Sequence, residues 1–396
     1  MANPTFPQLQ ALQTLQPTDA NFAIDAVDLI LPMAIAVGAS DIHIQPRASS
    51  WEILLRVDGV LSVVSVLAGG GASDPVTRLM VLAGLPTYRS GQPMEGRLKW
   101  GSSAEQPLSM RLGVYPTVHG PRAVVRLLRK DSTYDSIESL GLTADVTESL
   151  IHLSEQTDGA VLLSGPTGSG KTTTMYAILR RIASQQPRRC VMTIEDPVES
   201  VIDSISQSEL DPVGGMTLSS ALRSAMRQDC EVLLVSEIRD PETAEAALQA
   251  SLTGHLVFSS LHATDVAASL RRLIQLGIPA FAVRSGVQAI LSQRLIRRLC
   301  DRCGGDNGEN CQQCLGSRYH GRIAIAQCVR LDGSDPVGEA LAASLEAGQS
   351  LTEMRRAAAA AEGTDLADRG WQFVRDGITD AAEIYRVLGG KPPASP

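Results

Sequence analysis

Residues 160–172 read Ala160-Val161-Leu162-Leu163-Ser164-Gly165-Pro166-Thr167-Gly168-Ser169-Gly170-Lys171-Thr172, an apolar stretch running straight into a G-x-x-x-x-G-K-[ST] loop. The chemistry of a phosphate site accounts for each residue type. Glycines let backbone N–H groups curl around phosphates, Lys171 reaches the terminal phosphates, and Thr172 offers its hydroxyl to Mg²⁺. A strand before the loop and a helix after it are expected, and the helix N-terminus adds partial positive charge. Gly165, Pro166, Thr167, Gly168, Ser169, Gly170, Lys171, Thr172 and Thr173 are therefore the expected nucleotide-binding residues. Such a site also needs a carboxylate near the metal or the attacking water. Val232-Leu-Leu-Val-Ser-Glu237 supplies an apolar strand ending in one. Glu195, Asp196 and Glu199 form a second acidic cluster after the strand-like run Cys190 to Ile194. In an open α/β sheet both clusters should face the crevice at the carboxyl ends of the strands. No guanine-reading N-K-x-D segment is present, which favours ATP over GTP.

Around the loop, short apolar runs alternate with helical patterns: Cys190 to Ile194, Glu231 to Val235 and His255 to Ser260. That rhythm predicts a largely parallel sheet with helices on both faces. Upstream the rhythm differs. A helical pattern over Asp19 to Val37 precedes the alternating run Ser40 to Pro46, and Asp58-Gly59 turns a hairpin between Trp51 to Val57 and Val60 to Leu67. Further strand-like runs lie at Ser109 to Val114 and Ala123 to Leu128, so this region is α+β. Downstream the strand pattern breaks after Arg294, and small helical segments follow, including Leu351 to Ala361 and Asp365 to Arg375.

The 396 residues carry 35 Lys and Arg against 43 Asp and Glu, a net charge of −8. An acidic chain lacks the basic surface that coats nucleic acid, and 4% aromatics leave few stacking platforms. No apolar run is long enough for a membrane span. The N-terminal MANPTFPQLQ lacks the basic flank and apolar core of a secretory signal, so a cytoplasmic location is expected. Four of the seven cysteines form two knuckles, Cys300-Asp-Arg-Cys303 and Cys311-Gln-Gln-Cys314. Four thiolates on two tight turns predict a closed structural Zn²⁺ site. A redox pair would need only one C-x-x-C. Cys190, Cys230 and Cys328 read as buried small hydrophobes.

These motifs together resemble the type II secretion and type IV pilus assembly ATPase family. Thr193-Ile-Glu-Asp-Pro-Val-Glu199 is similar to its acidic box, Ser236-Glu-Ile-Arg-Asp240 to its Walker B segment, and Thr253-Gly-His-Leu-Val-Phe-Ser-Ser-Leu-His262 to its histidine box. Ala39-Ser-Asp-Ile-His43, Arg56-Val-Asp-Gly59 and Pro116-Thr-Val-His-Gly120 resemble its N-terminal domain. The resemblance implies a RecA-like P-loop core preceded by a smaller PAS-like α+β domain, with a zinc knuckle and helical segments toward the C-terminus. The expected boundaries are a tail at 1–20, a PAS-like domain at 21–130, a linker at 131–140, a core at 141–299, a knuckle at 300–320 and a helical segment at 321–396. It further implies Glu237 as catalytic carboxylate and Glu195 as organiser of metal and water. His255 and His262 would couple the γ-phosphate to domain motion, and Arg97, Arg111, Arg223 and Arg227 would be charge-neutralising arginines. The implied working unit is a homo-hexamer acting with inner-membrane platform proteins. The cysteine cluster is typical of assembly rather than retraction ATPases of this family. The alternatives are a retraction motor or a regulatory ATP-binding module.

Overall fold

The computed structural model describes residues 7–69, 74–88, 91–98, 100, 109–128, 134–211, 214–306, 311, 313–314, 316–361 and 363–389. The chain divides into two compact units. One comprises Met1–Lys130 with Leu299–Gly321, the other Asp131–Arg298 with Arg322–Pro396.

The first unit opens with helices α1 (Pro7–Thr14) and α2 (Phe22–Ala36), then strands β1 (Asp41–Pro46), β2 (Ser50–Val57) and β3 (Val60–Ala68). Helix α3 (Pro75–Leu82) and strands β4 (Met94–Leu98), β5 (Ser109–Thr117) and β6 (Gly120–Leu128) complete it. The six strands form one sheet in the order β3-β2-β1-β6-β5-β4, with every neighbouring pair antiparallel. Alternation sends Ile42, Ile44, Ile53, Leu55, Leu112 and Val125 to one face, where Phe22, Ile30, Leu31 and Leu79 of α2 and α3 cover them. Asp74 caps α3 by accepting the Thr77 N–H at 2.7 Å. The expected tail at 1–20 is corrected over 7–14, which is helical. Leu12 is 1% exposed and joins the same core as Phe22 and Leu67, which repays ordering the segment.

The second unit begins with a 3₁₀ turn (Glu138–Leu140), α4 (Ala144–Ser154), β7 (Gly159–Ser164) and α5 (Lys171–Ser184). There follow β8 (Val191–Glu195), β9 (Ser206–Glu209), α6 (Leu218–Ala225), β10 (Val232–Val235), α7 (Pro241–Leu252) and β11 (Leu256–Leu261). Next come α8 (Val266–Gln275), α9 (Ala280–Gly286), β12 (Val287–Leu299), β13 (Tyr319–Arg330), α10 (Pro336–Glu346), α11 (Leu351–Ala360), α12 (Leu366–Arg375) and α13 (Ala381–Leu388). The seven-stranded sheet runs β13-β12-β7-β11-β10-β8-β9 and is parallel from β12 to β9. Every residue of β7, β10 and β11 is buried, because both faces are covered. The pleat separates two cores. Ala160, Leu162, Leu233, Val235 and Val257 pack with α7, α8 and α10, while Val161, Leu163, Val232, Leu234 and Phe258 pack with α4 and α5.

Two more expectations are corrected toward the C-terminus. The strand pattern that breaks after Arg294 continues as thirteen residues of β12 to Leu299. Its charge at Arg297 is tolerated because Glu383, whose side chain is fully buried, pairs with it at 2.7 Å. Residues 321–330 lie in strand β13 rather than a helical segment, and the helices begin at Pro336. The cysteine-bearing segment groups with the first unit. Within that unit the Gly321 N–H donates to the Asp58 carboxylate at 2.9 Å.

Candidate nucleotide site and cysteine cluster

Parallel register brings the expected site together. Ser164 lies beside Leu261, and Val235 beside both Ser259 and Ile194. Gly165, Glu195, Glu237 and His262 therefore emerge at the same edge of the sheet, at or just past the strands' carboxyl ends. The loop is closed by the Gly165 N–H donating to the Leu261 carbonyl at 3.2 Å and the Ser169 N–H to that of Pro166 at 3.2 Å. Gly165 and Gly170 hold φ of +155° and +89°. A Cβ would meet the Gln293 carbonyl oxygen at 2.5 Å at the first and the Gln293 side-chain nitrogen at 2.7 Å at the second. Only glycine fits at either position.

Gln293 of β12 was not singled out from sequence. It is 2% exposed, donates from Nε2 to the Ser169 carbonyl at 2.9 Å, and accepts the Thr174 hydroxyl on Oε1 at 2.9 Å. Its neighbour Arg294 is also buried. Its guanidinium donates to the carbonyls of Gln293 at 2.9 Å and Thr264 at 2.6 Å, tying β12 to the segment after β11. Lys171, 8% exposed, folds back to donate to the carbonyls of Gly165 at 2.7 Å and Pro166 at 3.0 Å. Burial, with the Arg294 charge behind it, pulls the Lys171 ammonium down to about 8. The buried Ser169 hydroxyl has no partner among the described residues. These features fit a triphosphate: donors on a tight loop, a cation held in reserve and an unsatisfied polar atom.

Glu237 and His262 meet. Nε2 of His262 lies 3.1 Å from Glu237 Oε2, and Arg239 pairs with the other Glu237 oxygen. Burial, then the charges of Lys171 and Arg239, hold His262 below its ordinary value, so at neutral pH a neutral ring donates to the carboxylate. Glu195 is 2% exposed and accepts from Thr193, Gln207 and Tyr176. His255 is separated from this group. It precedes β11, whereas His262 follows it, roughly 20 Å away along the strand. His255 therefore lies at the opposite end of β11 from the phosphate loop of its own chain. Arg223 lies in the last turn of α6 and Arg227 in the turn just past its end, and both are exposed.

In the first unit, Arg97 and Arg111 are cross-strand partners. The row continues through Arg126, Asp41 and Arg56 on adjoining strands, on the sheet face opposite the apolar core. Arg126 reaches Asp41 at 3.1 Å, Arg111 pairs with Glu95, and Arg122 donates to His43 Nδ1 at 2.7 Å. Five arginines thus share one face. Sequence reading found two, although the alternation of Arg122, Val124 and Arg126 along β6 carried the signal.

The four expected zinc ligands converge. All four sulfurs lie within 4.8 Å of one another, with Cys300–Cys311 at 3.8 Å and Cys303–Cys314 at 3.6 Å. A tetrahedron with Zn–S bonds of about 2.3 Å has edges of about 3.8 Å. The donor set fits Zn²⁺. Backbone N–H groups of Cys314 and Gln313 help pull Cys311 down to about 6, toward the thiolate a metal requires. Of the remaining cysteines, Cys230 is buried as expected, Cys328 is half-buried, and Cys190 is exposed, correcting its reading as a core residue.

A family described as "Type II/IV secretion system protein" matches residues 16–386. The type IV pilus assembly ATPase PilB of Thermus thermophilus is 35% identical over 390 residues, covering 92% of this chain and 43% of that one. The type II secretion system ATPase E of Vibrio cholerae is 36% identical over 388 residues, covering 92% of this chain and 75% of its own length. Among solved structures, the Legionella pneumophila ATPase DotB superposes with a TM-score of 0.72 at 21% identity, covering 91% of this chain and 94% of that one. That likeness shows a shared α/β fold.

The depressed Lys171 has a measurable consequence. Binding a triphosphate favours the ammonium, so above pH 8 binding must take up a proton. Affinity should be flat from about pH 7 to 8 and fall up to about tenfold per unit above that, until the ordinary lysine range near 10.4 is reached. Titrating a fluorescent ATP analogue against the full chain across this range checks it. Affinity that stays level to pH 9.5 contradicts it.

Proposed function

We propose, because this chain belongs to the Type II/IV secretion system protein family, that it is a motor ATPase driving protein secretion or type IV pilus assembly. The observation that carries this reading is the convergence of the phosphate loop, Glu237 and His262 at neighbouring strand ends. Lys171 would leave the Gly165 and Pro166 carbonyls for the terminal phosphates while loop N–H groups hold the rest. Thr172 would hold Mg²⁺, which when bound neutralises phosphate charge. Glu237 would accept the proton of the attacking water, with the His262 N–H fixing the carboxylate's direction. Glu195 would support the metal side of the site. Arg97, Arg111, Arg223 and Arg227 would neutralise charge developing on the γ-phosphoryl group, so that hydrolysis depends on closure.

The finer fold reading is a RecA-like core preceded by a PAS-like domain. The working unit is a homo-hexamer in the cytoplasm, attached to the inner membrane through platform proteins. None of the described helices is long and apolar enough to cross a membrane. The cysteine tetrad supports a Zn²⁺ knuckle, and with it assembly rather than retraction. The acidic balance gives no support to a nucleic-acid partner.

Lys171→Ala should weaken ATP binding more than tenfold, because the loop loses its fixed cation. Glu237→Gln should keep ATP but lose about 10² to 10⁴ in turnover. Arg97→Ala and Arg111→Ala should lower turnover while binding persists. Binding and phosphate release measured separately on each full-length variant decide the matter, and wild-type turnover in Glu237→Gln removes it as the base.

The metal reading is checked by elemental analysis of protein purified without chelator. One Zn²⁺ per chain is expected, with less in Cys311→Ser. A zinc-free wild-type protein contradicts it.

A further inference from the structure

Helix α5 carries two hydroxyls one turn apart on the same face, Thr172 near its start and Tyr176 four residues later. Tyr176 is 4% exposed, and a Phe would fill the same apolar space. Its hydroxyl is fully used. It donates to Glu195 Oε2 and accepts the backbone N–H groups of Glu199 at 3.2 Å and Ser200 at 3.4 Å. The second Glu195 oxygen accepts the Thr193 hydroxyl at 2.6 Å and Gln207 Nε2 at 3.0 Å. Gln207 in turn donates to the Ser200 carbonyl at 3.0 Å and accepts the Ile202 N–H at 2.6 Å. The acidic segment from Glu195 to Ile202 is thus tied on one side to β9 and on the other to the helix that begins in the phosphate loop. Burial, reinforced by the hydrogen bond to Glu195 and its charge, pushes the Tyr176 phenol up, which keeps its proton on oxygen. A carboxylate has about four acceptor positions. Three are filled from the described residues, leaving one on Oε2.

We infer that Tyr176 is a positioning residue, whose hydroxyl fixes Glu195 and the acidic segment at a set offset from the Thr172 end of the same helix. One rigid helical turn then sets the spacing between the Thr172 hydroxyl and the remaining Glu195 acceptor position, on the side of the site where Thr172 would hold Mg²⁺. This inference rests on the ATPase reading and deepens it. Sequence motifs do not reveal it, because Tyr176 lies outside the phosphate loop and looks like one more apolar position of an amphipathic helix.

The test is Tyr176→Phe in the full chain, beside wild type, Glu195→Gln and Lys171→Ala. In the nucleotide-free variant the amides of Glu199 and Ser200 should exchange with deuterium at least about tenfold faster, since each loses its acceptor. ATP affinity should stay within about twofold, while kcat falls about tenfold and half-saturating Mg²⁺ rises. Glu195→Gln should show the same split between affinity and turnover, and the double variant should be no worse than the poorer single. Unchanged amide exchange, or wild-type kcat and Mg²⁺ dependence in Tyr176→Phe, overturns the inference alone. Equal losses of ATP affinity and kcat do so too, because they mark a merely structural role. A wild-type chain without Lys171-dependent turnover overturns the ATPase reading itself, and the inference with it.

Discussion

The phosphate loop keeps its shape through one buried amide. Gln293 reaches from the middle of β12 to hold the Ser169 carbonyl with its nitrogen and the Thr174 hydroxyl with its oxygen. Parallel pairing of Ser292 with Ser164 brings Gln293 level with the start of the loop. Its atoms stand where side chains on Gly165 or Gly170 would have to go. Leaving a buried polar group unpaired costs about 1 to 3 kcal/mol, so the amide and the loop specify each other. Lys171, at the end of the loop, inherits its position from this arrangement, while Glu237 and His262 are placed by the parallel register of β10 and β11.

Each unit carries its own set of cations. In the second unit the cations at the loop are Lys171 and Arg294. Arg294 is buried and holds the Gln293 and Thr264 carbonyls, while Lys171 holds those of Gly165 and Pro166. The first unit carries its arginines as a cross-strand row on a sheet face remote from its own core.

Much of this was legible in the sequence, and the failures share a cause. The loop, Glu237 and the parallel strands could be read because apolar runs, glycines and strand-end carboxylates sit close together along the chain. That the two histidines of one motif flank a fully buried strand, and so lie at its opposite ends, shows only in the fold. Strand β12 was cut short at Arg294 because charges at Arg294 and Arg297 mask its alternation, and their partners, Thr264 and Glu383, are distant in sequence. Gln293 and Tyr176 were missed for the same reason. Their roles lie in partners brought close only by the sheet. Leu12 was lost in a polar, proline-bearing stretch whose few apolar residues give no period to read.

The most direct test of the central claim is the nucleotide affinity of Gln293→Ala, measured by calorimetry on the full chain with ATP and with ADP. If Gln293 holds the loop in its phosphate-binding shape, both affinities should fall together by about ten- to a hundredfold, as expected for two lost hydrogen bonds and a slackened loop. Unchanged affinity for both nucleotides in a folded variant would contradict the account, since the loop would then hold its shape through its own glycines alone.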